Sequence, residues 1–425
     1  MSENTAVDLH DYEILLSAFA CDPQHGSERY VGWRWLKMLA DQFGKVYVLT
    51  REFNRPYHMA QSIPENVEFI YFDLPFGGRL IHHRAKLIKP YYVFWQIAAS
   101  LRLNSLVNLK QIAIIHHVTY NVVDIPGFLW RFGNQIFVWG PVGGGQVPPR
   151  SLKSVFGRLG WIKERTRGLM KSLVRYNPAV RAAAKRSRVV LFANYDTARL
   201  LDKVVSHREM MLETAIDRDQ IVDTDRIYPT GETFDLTWLA NFEENKAFPI
   251  ALDALQMAQA RVEKRLFLHV IGDGSARKSQ EMRVARSRLR DQVHFHGRIP
   301  FGEVGSRMRS SGAFLFTSVR DTSGNVVLEA MAAGTPVIGL KHQGVEQMLR
   351  HGGGILVEIG TYEETVRRYA DAIVRLVEDP ELWRRKSNEA REQIETRLNW
   401  DAKSERIASI YASLLREIPP MAVKT

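Results

Sequence analysis

Two acids eight residues apart, Asp321 and Glu329, stand in the stretch SVRDTSGNVVLEAMAAGTPVIGLKHQG, which runs from Ser318 to Gly344. It reads as a polar turn holding Asp321, then a helix opening near Asn325 and closing at Gly334, with apolar strands at 313–317 and 336–340 on either side. A strand–turn–helix junction through Thr322, Ser323, Gly324, Asn325 and Val326 aims backbone N–H groups at one spot, which suits a phosphate. A carboxylate on the helix, Glu329, can accept two hydrogen bonds from a ribose diol, and one in the turn, Asp321, can hold sugar hydroxyls. The competing reading is an ordinary surface turn before a core helix. Lys246, in LANFEENKAF, adds a cation. A cation and the free N–H groups of the 325–327 helix start can stabilise negative charge that develops beside them, a large catalytic term.

Further candidates lie at glycine turns and strand ends. Gly272-Asp273-Gly274 follows the apolar run LFLHVI and permits backbone to approach a nucleotide, although most such turns are only turns. Gly26 and Ser27, in CDPQHGSERYVGW, fall between a first strand and a helix, with Glu28 as a helix cap or an acceptor contact. His116 and His117 end the strand QIAIIHHV; adjacent strand residues face opposite sides of a sheet. His117 is the one favoured for the ligand side, and a buried structural histidine is the alternative. Gly143, Gly144 and Gly145, in FVWGPVGGGQVPP, allow close backbone approach to a ligand or form a bend with none.

Strands and helices must alternate to carry these residues. Apolar runs at 12–19, 45–50, 67–71, 111–118, 134–139 and 188–193 are strands, with a helix over 30–42. The pattern restarts after about residue 220, with strands at 233–240, 266–271, 292–296, 313–317, 336–340 and 354–357 and a helix at 248–261. Alternating βα units predict an α/β fold built on parallel, doubly wound sheets. Ligands in such sheets bind beyond the carboxyl ends of the strands.

A chain of 425 residues is too long for one ordinary core, so more than one domain is expected. Its single cysteine, Cys21, cannot form an intramolecular disulfide and fits a reducing compartment. The acidic N-terminus lacks a basic region before its apolar run, so no secretory signal is expected there. The run YYVFWQIAASL at 91–101 is too short to span a bilayer. The net charge of +11 is local: between Arg150 and Arg188 twelve Lys or Arg face one acid, Glu164, so this segment alone accounts for it. Apolar residues spaced three and four apart (Leu152, Val155, Phe156, Leu159, Ile162, then Leu169, Met170, Leu173) suggest helices with an apolar face among these cations. Two readings stand, a core-facing helix with a solvated basic side and contact with an anionic membrane surface. Nucleic acid is not expected, since no recognition motif accompanies the charge.

The acid spacing resembles the E-x7-E signature of retaining GT-B glycosyltransferases, particularly glycosyltransferase family 4, with Asp321 in place of the first Glu. The resemblance covers most of the chain and is strongest over 233–360. It implies a GT-B fold, two Rossmann-like domains facing across a cleft. The parts are an acceptor-side domain over 1–222, a nucleotide-sugar donor domain over 223–398, and a C-terminal helix over 399–425 crossing back to the first. It implies retaining transfer of a sugar from a nucleotide diphosphate sugar to a glycan or lipid-linked acceptor, in cell-surface polysaccharide or glycolipid synthesis. His117, Asp321 and Lys246 are then the catalytic residues. The donor is met by Gly26, Ser27, Asn241, Gly272, Gly274, Arg298, Ile299, the run Thr322 to Val326, and Glu329, and the acceptor side by Gly143–Gly145. Where the family carries an arginine ahead of the lysine, this chain reads Asn241, which removes one charge from the leaving-group site. Arg298 and Ile299, in HFHGRIPFGEV, correspond to the loop that frames the base. No metal and no resident cofactor are expected, the nucleotide sugar being a substrate. The setting is the cytoplasm, at the inner face of the membrane. The rivals are another GT-B enzyme (a nucleotide-sugar epimerase, or a glycogen-type phosphorylase or synthase) and a non-catalytic membrane-surface assembly protein on a transferase scaffold.

Overall fold

A computed structural model describes residues 7–24, 28–75, 87–221 and 226–417. Gly26 and Ser27 lie outside them. The chain divides into two compact units. The first comprises the described residues within Met1–Gly145, Lys171–Glu213 and Trp400–Thr425, and the second those within Gln146–Met170 and Thr214–Asn399.

Each unit is built on one parallel sheet. In the first unit the strands are β1 (Glu13–Ser17), β2 (Lys45–Thr50), β3 (Val67–Tyr71), β4 (Ile112–His117), β5 (Ile136–Val142), β6 (Ser187–Phe192) and β7 (Arg208–Met210). Their order is β3-β2-β1-β4-β5-β6-β7. In the second unit β8 (Thr233–Leu239), β9 (Arg265–Ile271), β10 (Val293–Gly297), β11 (Ala313–Phe316), β12 (Val337–Leu340) and β13 (Gly354–Val357) are ordered β10-β9-β8-β11-β12-β13. Every residue of β4, β5, β11 and β12 is buried. That is why these segments read as continuous apolar runs: a parallel sheet is covered on both faces. β7 breaks the pattern. It is a three-residue, polar edge strand, REM, with no apolar signal in the sequence.

In each sheet the chain winds outward one way from a central strand, then returns to wind the other way. The switch falls between β1 and β4 in the first unit and between β8 and β11 in the second. Loops leaving such a switch point are where open α/β sheets bind ligands.

The division differs from a simple cut near residue 222, because 146–170 belongs to the second unit. Leu152 and Phe156 are buried in that unit's core with Trp238, Phe242 and Phe248, and Trp161 packs against Phe156 at 5.9 Å between ring centroids. The final helix, Trp400–Arg416, belongs to the first unit and buries Trp400, Ile407, Tyr411, Leu414 and Leu415. The helix Ile88–Leu106 contains the aromatic run at 91–101 and buries Tyr91, Tyr92, Trp95, Ala99 and Leu103. No helix among the described residues is long and apolar enough to cross a membrane.

The core-facing reading holds for Leu152, Val155 and Phe156 and fails in the basic helix, Arg158–Leu173. Leu159 is 82% exposed, Met170 65% and Leu173 54%, and Glu164 is the one buried residue of the helix. At about 100° per residue, Leu159, Ile162, Leu169, Met170 and Leu173 fall within an arc of about 100°, and Glu164 points opposite to its centre. The apolar stripe therefore faces solvent and the acid faces inward.

Candidate active site

The loops leaving β8 and β11, the two strands at the second unit's switch point, carry Lys246 and Asp321. Lys246 closes a short turn, Glu244–Lys246, and its Nζ lies 2.5 Å from Asp321 Oδ2. Both side chains keep about a fifth of their surface exposed, 20% and 23%. The two loops are stitched together by backbone and side-chain bonds. Asn245 accepts from the Val319 N–H at 2.8 Å and donates to the Arg320 carbonyl at 3.0 Å. Thr317 Oγ1 donates to the Lys246 carbonyl at 2.8 Å and accepts from the Trp238 indole at 2.9 Å. Gln343 Oε1 accepts from the Asp321 N–H at 2.8 Å, and Asp321 Oδ1 accepts from the Thr322 N–H at 3.0 Å. The Lys–Asp pair thus sits on rigid backbone.

The helix Asn325–Ala332 starts immediately beyond this pair. Gly324, its N-cap, has φ of +75°, and no side chain caps the helix. A Cβ at Gly324 would lie 2.6 Å from the Phe316 ring, so only glycine fits this turn. An uncapped helix start leaves N–H groups and the positive end of the dipole for an anion. Glu329 lies on the same helix, half-buried, and burial pushes its carboxyl up to about 7. Asp321, Lys246, the turn Thr322–Ser323–Gly324, Asn325, Val326 and Glu329 therefore belong to the adjacent β8 and β11 loops and the helix after β11, within one unit.

Asn241, Gly272, Gly274, Arg298 and Ile299 emerge from the same edge of the sheet, on the loops after β8, β9 and β10. The glycines are used for protein packing. A Cβ at Gly272 would lie 1.9 Å from the Ala240 carbonyl oxygen. The Phe242 N–H donates to the Asp273 carbonyl at 3.0 Å, and the Gly272 N–H to that of Gly297 at 2.7 Å. Asn241 and Arg298 are exposed, and Ile299 is half-buried. A pocket of about 540 Å³ opens beside these loops, walled by Phe156, Lys163, Glu243, Asn245, Ser275 and Arg320 among others, a volume in the range of small-ligand sites.

The first unit treats its candidates differently. His116 and His117 end β4 at the switch point, and both are buried with both ring nitrogens partnered. His117 lies 2.8 Å from the Tyr92 hydroxyl and 3.0 Å from the Ser17 hydroxyl. His116 meets the Gly140 carbonyl at 2.8 Å and the Tyr411 hydroxyl at 2.6 Å. Burial pushes them down to about 4 and about 3, so both rings are neutral at pH 7. The preference for His117 as the open one has no counterpart in exposure: it is 1% exposed and His116 0%. In the glycine run, the Gly143 N–H donates to the Asn121 carbonyl at 2.9 Å and the Gly145 N–H to Thr197 Oγ1 at 3.1 Å. These amides serve the fold. Glu28, at the start of the helix Glu28–Ala40, accepts from the Tyr120 N–H at 2.5 Å.

Sequence reasoning did not find Gln343, Asn245, Arg320 or Gln146. Gln146 Nε2 donates to Thr322 Oγ1 at 2.6 Å across 176 positions of sequence. Nothing local marks these residues, because their partners are distant in the chain.

Residues 228–393 match the family model described as Glycosyl transferases group 1. N-acetyl-alpha-D-glucosaminyl L-malate synthase of Bacillus anthracis is 29% identical over 184 residues, 43% of this chain and 45% of that protein. The lipopolysaccharide core biosynthesis glycosyltransferase LpsE of Rhizobium meliloti is 27% identical over 186 residues, 43% of this chain and 49% of that one. The chain spans about half the length of these relatives. Sucrose-phosphate synthase from Thermosynechococcus elongatus superposes with a TM-score of 0.66 at 18% identity, covering 96% of this chain and 100% of that one. Anabaena HepE in complex with UDP gives 0.63 at 15%, covering 95% and 100%. Two parallel-sheet α/β units with these neighbours define the fold as GT-B.

Proposed function

We propose that this chain is a retaining hexosyltransferase that moves a sugar from a nucleoside diphosphate sugar to a glycan or lipid-linked acceptor. The observation that carries the reading is the Lys246–Asp321 pair at the β8/β11 switch point, beside an uncapped helix start that also presents Glu329. Its position within the matched stretch 228–393 supports it, as does the UDP bound by a neighbour of the same fold. Glu329 accepts the ribose hydroxyls. Lys246 and the N–H groups at Asn325 and Val326 take the charge that develops on the β-phosphate as the sugar–phosphate bond breaks. Asp321 accepts from the hydroxyls of the transferred sugar and holds Lys246 in place until donor arrives. Asn241, Gly272, Gly274, Arg298 and Ile299 frame the nucleotide. No step calls for a metal. The solvent-facing stripe of the basic helix, flanked by Arg158, Arg165, Lys163 and Arg167, supports work at the anionic inner face of the cell membrane.

The test is a panel of nucleoside diphosphate sugars. One donor is expected to be consumed, with EDTA leaving turnover unchanged and the product keeping the anomeric configuration by NMR. Lys246→Ala is expected to lower kcat by on the order of a hundred-fold while nucleoside binding changes little. A panel in which no donor is bound or consumed would sink the reading.

A further inference from the structure

We infer that Glu164 is a positioning residue for the Lys246–Asp321 pair, acting through Arg320; the inference rests on the transferase reading of that pair. Glu164 is the single acid among the twelve cations of 150–188. It is also the one buried residue of the basic helix, 6% exposed on the side opposite the apolar stripe. An acid is therefore what that helix directs into the second unit. Its carboxylate forms an ion pair with Arg320 Nε at 2.9 Å and a longer one with Arg167 at 3.5 Å. Arg320 immediately precedes Asp321, and its carbonyl accepts from Asn245, which immediately precedes Lys246. The guanidinium held by Glu164 thus belongs to a residue whose backbone joins the two loops of the pair.

The rest of the 146–170 segment is fastened at the same loops. The Gly157 N–H donates to Glu244 Oε1 at 3.1 Å, two residues before Lys246. Gln146 reaches Thr322, one residue after Asp321. Gln343 donates to the Val147 carbonyl at 3.1 Å while accepting from the Asp321 N–H. These attachments are polar and bear on 243–246 and 320–323, so the segment sets the geometry of the pair. A buried ion pair that loses one partner leaves the other charged and unpaired, and it moves to find water. Without Glu164, Arg320 is the group that moves, and Asp321 follows it.

The test compares Glu164→Gln, Arg320→Gln and the double variant with the wild type, using the consumed donor. A control, Glu381→Gln, breaks an exposed Glu–Arg pair with Arg384 elsewhere in the unit. Misplacement of the pair is expected to lower kcat at least roughly ten-fold in each single variant, with donor KM within about two-fold. The double variant is expected to be no slower than either single, because the two residues act as one unit. Hydrogen exchange is expected to quicken over 318–324 and to stay unchanged over β12, while the control behaves as wild type. Wild-type kcat in Glu164→Gln, or losses that multiply in the double variant, would overturn the inference. Were the wild type to consume no donor, the transferase reading would fail by itself. The exchange measurement then decides for Glu164: wild-type protection of 318–324 in both single variants overturns the positioning role, and faster exchange there supports it.

Discussion

Glu329 carries the clearest consequence of burial at a single residue. Its carboxyl titrates near 7 because the half-buried helix position disfavours the charge. A ribose diol donates hydrogen bonds, so it binds the ionised form better, and binding drives off the proton. Nucleoside diphosphate affinity should therefore rise by roughly ten-fold between pH 6 and 8 in the wild type, beyond any change in Glu329→Gln. Calorimetry of both proteins in buffers of different ionisation enthalpy checks this, since the wild type alone releases the extra proton at pH 6. Equal pH dependence in the two proteins would remove Glu329 from the ribose. The positions of the two acids were legible in a turn and helix with a strong local pattern, whereas Lys246 was singled out through the resemblance and meets Asp321 only in the fold. The fate of His117 was not legible: strand alternation told that one histidine faces each side of the sheet, but Tyr92 and Ser17, which occupy its ring nitrogens, come from other segments of the chain.

At the scale of elements, strands were legible to within a residue where burial on both faces imposes an unbroken apolar run, as in β11 and β12. β7 was not, because a short edge strand needs no such run. The basic helix was legible as a helix, but the direction of its apolar face was not. Periodicity fixes which residues share a face and leaves open what that face meets. Here the stripe meets solvent, and anionic lipid is the partner its flanking cations suit. Each cation near such a surface contributes on the order of 1 kcal/mol, and the effect is screened by salt. The protein should sediment with liposomes containing anionic lipid at low salt, and less as salt rises. Replacing Leu159, Ile162 and Leu169 by Ser should abolish sedimentation without changing donor hydrolysis in solution. Replacing Arg158, Arg165 and Lys163 by Ser should weaken it at low salt only. Equal sedimentation with neutral liposomes would remove the electrostatic part, and none with either would remove the membrane.

At the scale of the molecule, two successive runs of βα units announced two doubly wound sheets, and strand order placed the loops of Lys246 and Asp321 side by side. The assignment of 146–170 to the second unit was hidden, because it depends on Leu152 and Phe156 entering a core formed much later in the chain. The final helix returns to the first unit and brings a charge with it. Lys403 is buried there, donates to the Leu212 carbonyl, and lies over the Trp35 and Trp400 rings at 5.8 and 5.1 Å. Burial pushes its ammonium down to about 7; Glu213 opposes that shift and Arg406 adds to it. Below pH 7 both folded and unfolded chains hold the proton, and the folded state bears the full cost of the buried charge. As pH rises through 7 the folded state sheds the proton, while the unfolded chain keeps it up to about 10.5. The unfolded state then binds more protons, so stability rises with pH. Relative to Lys403→Met, which keeps the apolar stem and removes the titration, the wild type should gain roughly 1.5 kcal/mol between pH 7 and 8.5. Glu329, held near 7 by burial, and the buried Cys21 thiol, pushed up, are common to both proteins and cancel in the difference. Denaturant melts of the two proteins across this range decide it: parallel stability curves would show that Lys403 stays charged in the fold, held by Glu213 and the two indoles.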